Sequence, residues 1–218
     1  LQGFEASLPL FVIFILMLMF SFIADRMVRK RGLKQIYVIG LLMTSAGLAS
    51  LFFANSILIL VILSLIVVGI SLAPVTLIWS PILADVIDYD ELLTGKRRET
   101  TYAGMNALLT KPAISIANAI FLLIISGFGF DNTQVVQSSS AIYGIMIGYA
   151  LFSAICFAIS ALVFWKWYTL DGKEWIAKKT ELSMTHLQKE KEYIEYLQKE
   201  GKISKVYERL YRESKDES

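Results

Sequence analysis

The sequence predicts an all-α integral membrane protein, and three observations carry that reading. The 218 residues are 56% hydrophobic and only 18% charged, with a mean hydropathy of +0.57, too apolar and charge-poor for an ordinary soluble domain. The charge is unevenly placed, with 22 of the 40 charged side chains between Trp167 and Ser218. Ahead of that tail, short charged segments separate apolar runs long enough to cross a bilayer, which takes about 20 residues.

Ala6 to Ala24 is a 19-residue stretch without charge and predicts a first helix over about 7–24. Gln35 to Ala84 is 50 residues without charge, enough for helices over about 36–54 and 57–84, with the polar pair Asn55-Ser56 as the turn between them. Thr100 to Phe130 contains one charge, Lys111, and predicts a helix over about 101–128. Asn132 to Trp165 is uncharged and predicts a fifth over about 141–165. Continuous helices are expected because lipid cannot satisfy free backbone groups. The third would run about 42 Å at 1.5 Å per residue, longer than the roughly 30 Å hydrocarbon core. It carries Gly69, a close-packing position, and Pro74 and Pro81, which remove helix hydrogen bonds. Those prolines are either hinge points or simply tolerated.

Residues 166–218 form a charged tail, read as helical. Leu187, Ile194 and Leu197, then Gly201, then Ile203, Val206 and Leu210 suggest two short amphipathic helices broken at the glycine. Near-equal Lys and Glu content favours a solvated surface, with partner binding or membrane-surface docking as the other possible use.

The segment 25–34 carries Arg26, Arg29, Lys30, Arg31 and Lys34; the segment 85–99 carries Lys96, Arg97 and Arg98. The N-terminal stub, the 55–56 turn and residues 131–140 contain no Lys or Arg. This alternation predicts that the basic loops and tail are cytoplasmic and the start of the chain is outside, in the cell membrane. Trp79, Trp165, Trp167 and Tyr168 near the predicted cytoplasmic ends read as an interfacial belt.

Several functions are excluded. A net charge of +2 is near balance and speaks against a nucleic-acid partner. One cysteine, Cys156, and one histidine, His186, leave no disulfide framework, no Cys-based or multi-His metal site and no common His-based catalytic pair. HExxH and Gly-x-Ser-x-Gly are absent, so no enzyme and no resident cofactor are expected. The chain begins with Leu, and no charged segment precedes the first apolar run. A signal peptide is therefore not expected, and the missing initiator Met suggests a fragment.

Two stretches carry chemistry. From Asp85 to Glu99, the acids Asp85, Asp88, Asp90 and Glu91 precede the bases Lys96, Arg97 and Arg98 across a Thr94-Gly95 turn. Asp85 and Asp88 share a face if the helix continues through them. Ion pairs at such a helix end could hold a cytoplasmic gate, or the stretch could be a solvated loop whose pairs contribute little. The second is Lys111, about two and a half turns inside the fourth helix. A lysine there is costly and faces a cavity or a partner, unless it snorkels to the interface. Lys111, Ser115 and Asn118 form one polar stripe, with Asn106 and Thr110 on a neighbouring one.

The motif Asp85-Val-Ile-Asp88-Tyr89-Asp90-Glu91 with Thr94-Gly95-Lys96-Arg97-Arg98-Glu99 resembles the signature loop of the glycoside–pentoside–hexuronide:cation symporters, a family of the major facilitator superfamily. The stretch Asp25-Arg26-Met27-Val28-Arg29-Lys30-Arg31-Gly32 resembles the basic loop between helices eight and nine of that superfamily. The resemblance covers about residues 5–165 and implies a helix bundle whose five spans are helices eight to twelve of a twelve-helix carrier. Lys111 stands where the melibiose-permease group has an important helix-eleven lysine. Asn106 stands where that group has a cavity-lining glutamine, and Ala107 where it has a threonine.

The resemblance implies symport of a sugar or glycoside, coupled to Na⁺ or H⁺, by alternating access between two six-helix halves. Lys111, Asn106, Tyr102, Thr110, Ser115 and Asn118 would line the substrate and cation cavity. Asp85, Asp88, Asp90, Glu91, Arg97, Arg98, Asp25 and Arg26 would form the cytoplasmic gate. The cation site itself is expected in the N-terminal half of the same carrier, which is missing here. Two other expectations remain open: a carrier of the same fold for a lipid or other non-sugar substrate, and a non-transporting sensor built on that fold.

Overall fold

The structure, a computed structural model, describes residues 2–54 and 57–199, with side chains from residue 11 onward. Through Asp171 it is an all-helical bundle. Helix α1 spans Gln2–Arg31, α2 Leu33–Phe53, α3 Leu58–Thr94 and α4 Glu99–Gly127. The fifth span, Ser139–Trp167, contains α5 (Ser139–Met146), a π-helical turn (Ile147–Leu151) and α6 (Phe152–Trp167). Among the described residues, five helices are thus long and apolar enough to cross a membrane. The expected Asn55-Ser56 turn lies outside the described residues.

At two charged segments the boundaries differ from the sequence expectation, for local reasons. Segment 25–34 is not a loop: α1 runs on through Arg31, and the break before α2 is Gly32 alone. Gly32 takes φ +88°, a conformation glycine adopts without Cβ strain. Asp25 and Arg29 pair one turn apart at 2.5 Å, and Arg29, Lys30 and Arg31 occupy the last turn, where cations complement the helix dipole. Helix α3, likewise, does not stop at Ala84 but continues ten residues to Thr94. Gly95 ends it in the left-handed region at φ +69°, donating its amide to the Glu91 carbonyl at 2.8 Å.

Helix α3 is the spine. Helices α1 and α2 both pack on it, and α6 packs on α2. The largest buried cluster joins Ile36, Tyr37 and Leu41 of α2, Ile78 and Ile82 of α3 and Ala161 of α6. Between α2 and α3 the backbones approach closely: a Cβ on Gly47 would lie 2.8 Å from Val68 Cγ2. Hydroxyls add to this contact. Thr44 and Ser71 share a 2.9 Å hydrogen bond, Ser50 and Ser64 one of 2.8 Å. Small residues and interhelical hydroxyls are the usual means of helix association in lipid, where apolar surface gains little by leaving the solvent. Helix α4 stands apart, packed on α5 and the π turn and scarcely touching α3.

The tail contributes α7, Lys173–Lys199, which belongs to a separate unit from the bundle. Leu187, Ile194 and Leu197 lie on it; the expected break at Gly201 and the helix of Ile203, Val206 and Leu210 lie outside the described residues.

The Gly47 contact gives a direct test. Gly47→Leu should separate α2 from α3 at a cost of about 1–3 kcal/mol, read as a lower thermal unfolding temperature of the purified protein in detergent. An unchanged unfolding temperature would contradict this packing.

Candidate functional site

The charged end of the bundle is built from the last turns of α3, the four residues that follow and the start of α4. Asp85, Asp88, Asp90 and Glu91 are buried, none more than 8% exposed. Asp85 stands 27 residues into α3, about 40 Å from its start, past the roughly 30 Å that a hydrocarbon core needs. Each acid in this stretch meets a donor. Arg97 reaches back to Asp88 at 2.9 Å and Glu91 at 3.0 Å, and to Glu99 at 2.5 Å. Arg98 forms a forked pair with Asp90, its Nε 2.8 Å from Oδ2 and its second nitrogen on the other oxygen. Bidentate pairs of this kind fix orientation as well as adding energy. Tyr102, one turn into α4, adds a hydrogen bond to Asp90. The surrounding carboxylates of Glu99, Glu91 and Asp88 raise the pKa of Arg97, and Asp90 raises that of Arg98.

Asp85 has a different partner. The Tyr168 hydroxyl, 83 residues further on, donates to its Oδ2 at 2.8 Å. Tyr168 is buried, stacked on Phe164 at 4.5 Å between ring centres. Burial, then the Asp85 carboxylate, pushes its hydroxyl pKa up, so it stays a donor. Tyr168 is therefore not part of an interfacial belt as its neighbours Trp165 and Trp167 suggest; the buried carboxylate draws it inward. Nothing in the sequence distinguishes it from those tryptophans, and sequence reasoning missed it.

The structure thus brings Asp88, Asp90, Glu91, Arg97, Arg98 and Tyr102 together. Asp25 and Arg26 sit on α1, where Asp25 pairs with Arg29 and Arg26 is exposed. Along α4, Lys111, Ser115 and Asn118 are all exposed, whereas Asn106 and Thr110 are half-buried. The Thr110 hydroxyl donates to the Asn106 carbonyl at 2.8 Å, and that of Ser115 to the Lys111 carbonyl at 3.4 Å. Asn118 also lines a pocket of about 330 Å³ against the π turn, with Phe121, Tyr149 and Ser153. Pro112 leaves α4 continuous. Among the described residues, no group of three or more His, Cys, Asp or Glu side chains is placed to hold a metal ion.

Comparison with known proteins agrees with this architecture. The profile of a family described as MFS/sugar transport protein matches residues 2–172. An uncharacterized 29.9 kDa protein from the crtE 3′ region of Pseudescherichia vulneris is 30% identical over 158 residues, 70% of this chain. The chain spans 56% of that relative's length. No solved structure matches the chain. Five helices of spanning length among the described residues and a family match over most of the chain make this an integral membrane protein, and it belongs to the MFS/sugar transport protein family.

Proposed function

We propose that this chain is the C-terminal part of a secondary active carrier of the glycoside–pentoside–hexuronide:cation symporter type. It moves a sugar or glycoside together with Na⁺ or H⁺ by alternating access. The observation that carries the reading is Lys111. It lies twelve residues into α4, about 18 Å from its start, on a face that the rest of the described chain leaves exposed. A charge at such a place needs a water-filled cavity or a partner, and the other half of a carrier supplies both. Ser115 and Asn118 extend the same stripe, and Asn106, Thr110 and Tyr102 flank it toward the charged end. The coupling ion binds in the N-terminal half.

In this reading the charged end faces the cytoplasm, with the start of the chain outside and the tail inside the cell membrane. The pairs of Arg97 and Arg98 make the α3–α4 connection stiff, so that the cavity-facing α4 follows α3 when the halves rock. Tyr168 holds the end of α6 to the same point through Asp85. Asp25 and Arg26, on the neighbouring helix end, complete the cytoplasmic face.

Three outcomes test the proposal in the full-length carrier. Lys111→Ala should lower cation-driven uptake at least tenfold at normal membrane insertion, measured in right-side-out vesicles; undiminished uptake removes its role. Arg97→Asp should disturb closure at the cytoplasmic side, read as faster labelling of cytoplasmic-cavity cysteines, and Asp88→Arg in the same chain should restore part of it; a double variant no better than Arg97→Asp alone argues against the pair. Tyr168→Phe leaves Asp85 short of a donor and should lower transport severalfold with little change in Lys111 accessibility. Equal transport by wild type and Tyr168→Phe would show the latch to be dispensable.

A further inference from the structure

The surface between α2 and α6 carries a groove distinct from the α4 face. Gln35, Val38, Ile39 and Leu42 form one wall at helical spacing, and Ala161, Leu162 and Trp165 form the other. The groove encloses about 470 Å³, within the range of small-molecule sites, and no residue of α4 lines it. It starts at the charged end, where α2 begins and α6 ends, and runs inward for about 10 Å, some two thirds of one bilayer leaflet. Apart from Gln35, its lining side chains are hydrocarbon or aromatic.

The mouth has the opposite character. Lys34 places its ammonium 5.5 Å from the centre of the Trp165 ring, a cation–π contact that holds the charge over the opening. Arg31 precedes it across the single-residue break at Gly32, and Lys166 follows Trp165 directly. One carboxylate moderates this field: Asp171 lies beside Gly32, 3.1 Å from where a Cβ would sit. Lys34 is the cation placed at the opening, and Arg31 and Lys166, both exposed, lie next to the groove's residues in sequence.

We infer that this groove is a binding site for an anionic phospholipid, with an acyl chain along the α2–α6 walls and the headgroup phosphate at Lys34. Apolar depth and a cationic rim match an amphiphile with a negative head. A free anion gains nothing from the walls, and a zwitterionic lipid gains less from the rim. Basic pockets between spanning helices recognise anionic headgroups on this principle. The site is independent of the transported substrate, because the groove and the Lys111 stripe lie on different helices.

The test uses the full-length carrier in phosphatidylcholine vesicles containing either dibrominated phosphatidylglycerol or dibrominated phosphatidylcholine. Bromine quenches nearby indoles, and comparison with Trp165→Phe isolates the share of Trp165. Trp165 should be quenched by phosphatidylglycerol with an apparent affinity at least fivefold above that for phosphatidylcholine, about the effect of one lysine near a charged lipid. Lys34→Gln should remove most of that preference, and inorganic phosphate should not compete. Leu42→Phe, at a position 46% exposed, should narrow the groove and weaken phosphatidylglycerol quenching severalfold, even if Lys34→Gln fails to accumulate. Equal quenching by the two lipids, or full quenching retained in both variants, overturns the proposal. So does a Trp165 that neither lipid reaches, which would mean that protein covers the groove.

Discussion

A charge buried away from water has to be neutralised by another part of the protein, because a protein interior leaves it without hydration. That requirement organises the charged end. Helix α3 carries four acids in its last three turns, all buried. Arg97, Arg98 and Tyr168 answer them from two separate places in the chain. A buried carboxylate left without its donor is far more costly than the pair is stabilising. The positions of the 95–98 turn and of the end of α6 are therefore tied to α3, and the rest of the bundle is hung from that spine.

The middle of the bundle follows a different rule. Apolar side chains there gain little by choosing protein over lipid, so close packing and a few hydroxyl pairs hold the helices. Gly47 against Val68, and the Thr44–Ser71 and Ser50–Ser64 pairs, bring α2 onto α3. Ser45 donates to the Ala154 carbonyl of α6 at 2.7 Å. At the opposite end, Gly148 in the π turn lets the Phe121 ring of α4 approach its backbone. The result is a firm group of α1, α3, α2 and α6, with α4 attached at its edge through the π turn.

The five spans were legible because bilayer thickness imposes a length that charge-free runs reveal directly. The helix ends were not. Segment 25–34 is dense in charge and looks like a loop, yet arginines and lysines in a last helical turn are favourable, and only Gly32 breaks the chain. The stretch after Ala84 has a similar ambiguity: whether four acids end a helix or extend it depends on whether bases fold back to meet them. Arg97 lies nine residues beyond Asp88, so its return is decided by the Gly95 cap and not by periodicity. The Asp85–Tyr168 bond spans 83 residues and leaves no local signal. Lys111 stands out in the sequence for the same reason that it stands out in the structure, as the one charge in the Thr100–Phe130 stretch.

The uneven attachment of α4 connects these levels. Lys111 and Ser115 on it are exposed, it touches α3 little, and Tyr102 near its start bonds Asp90 of α3. A helix held at one end by ion pairs and along its length by glycine-mediated contact with the π turn has a fixed foot and a less constrained shaft. Arg97 and Arg98 stand between α3 and α4 in sequence and bind the acids of the first while leading into the second. The same residues that neutralise the buried acids thus couple the spine to the polar face. This is a mechanical reason for acids and bases to lie so close together in the chain, where neutralisation alone would have been met by bases from anywhere.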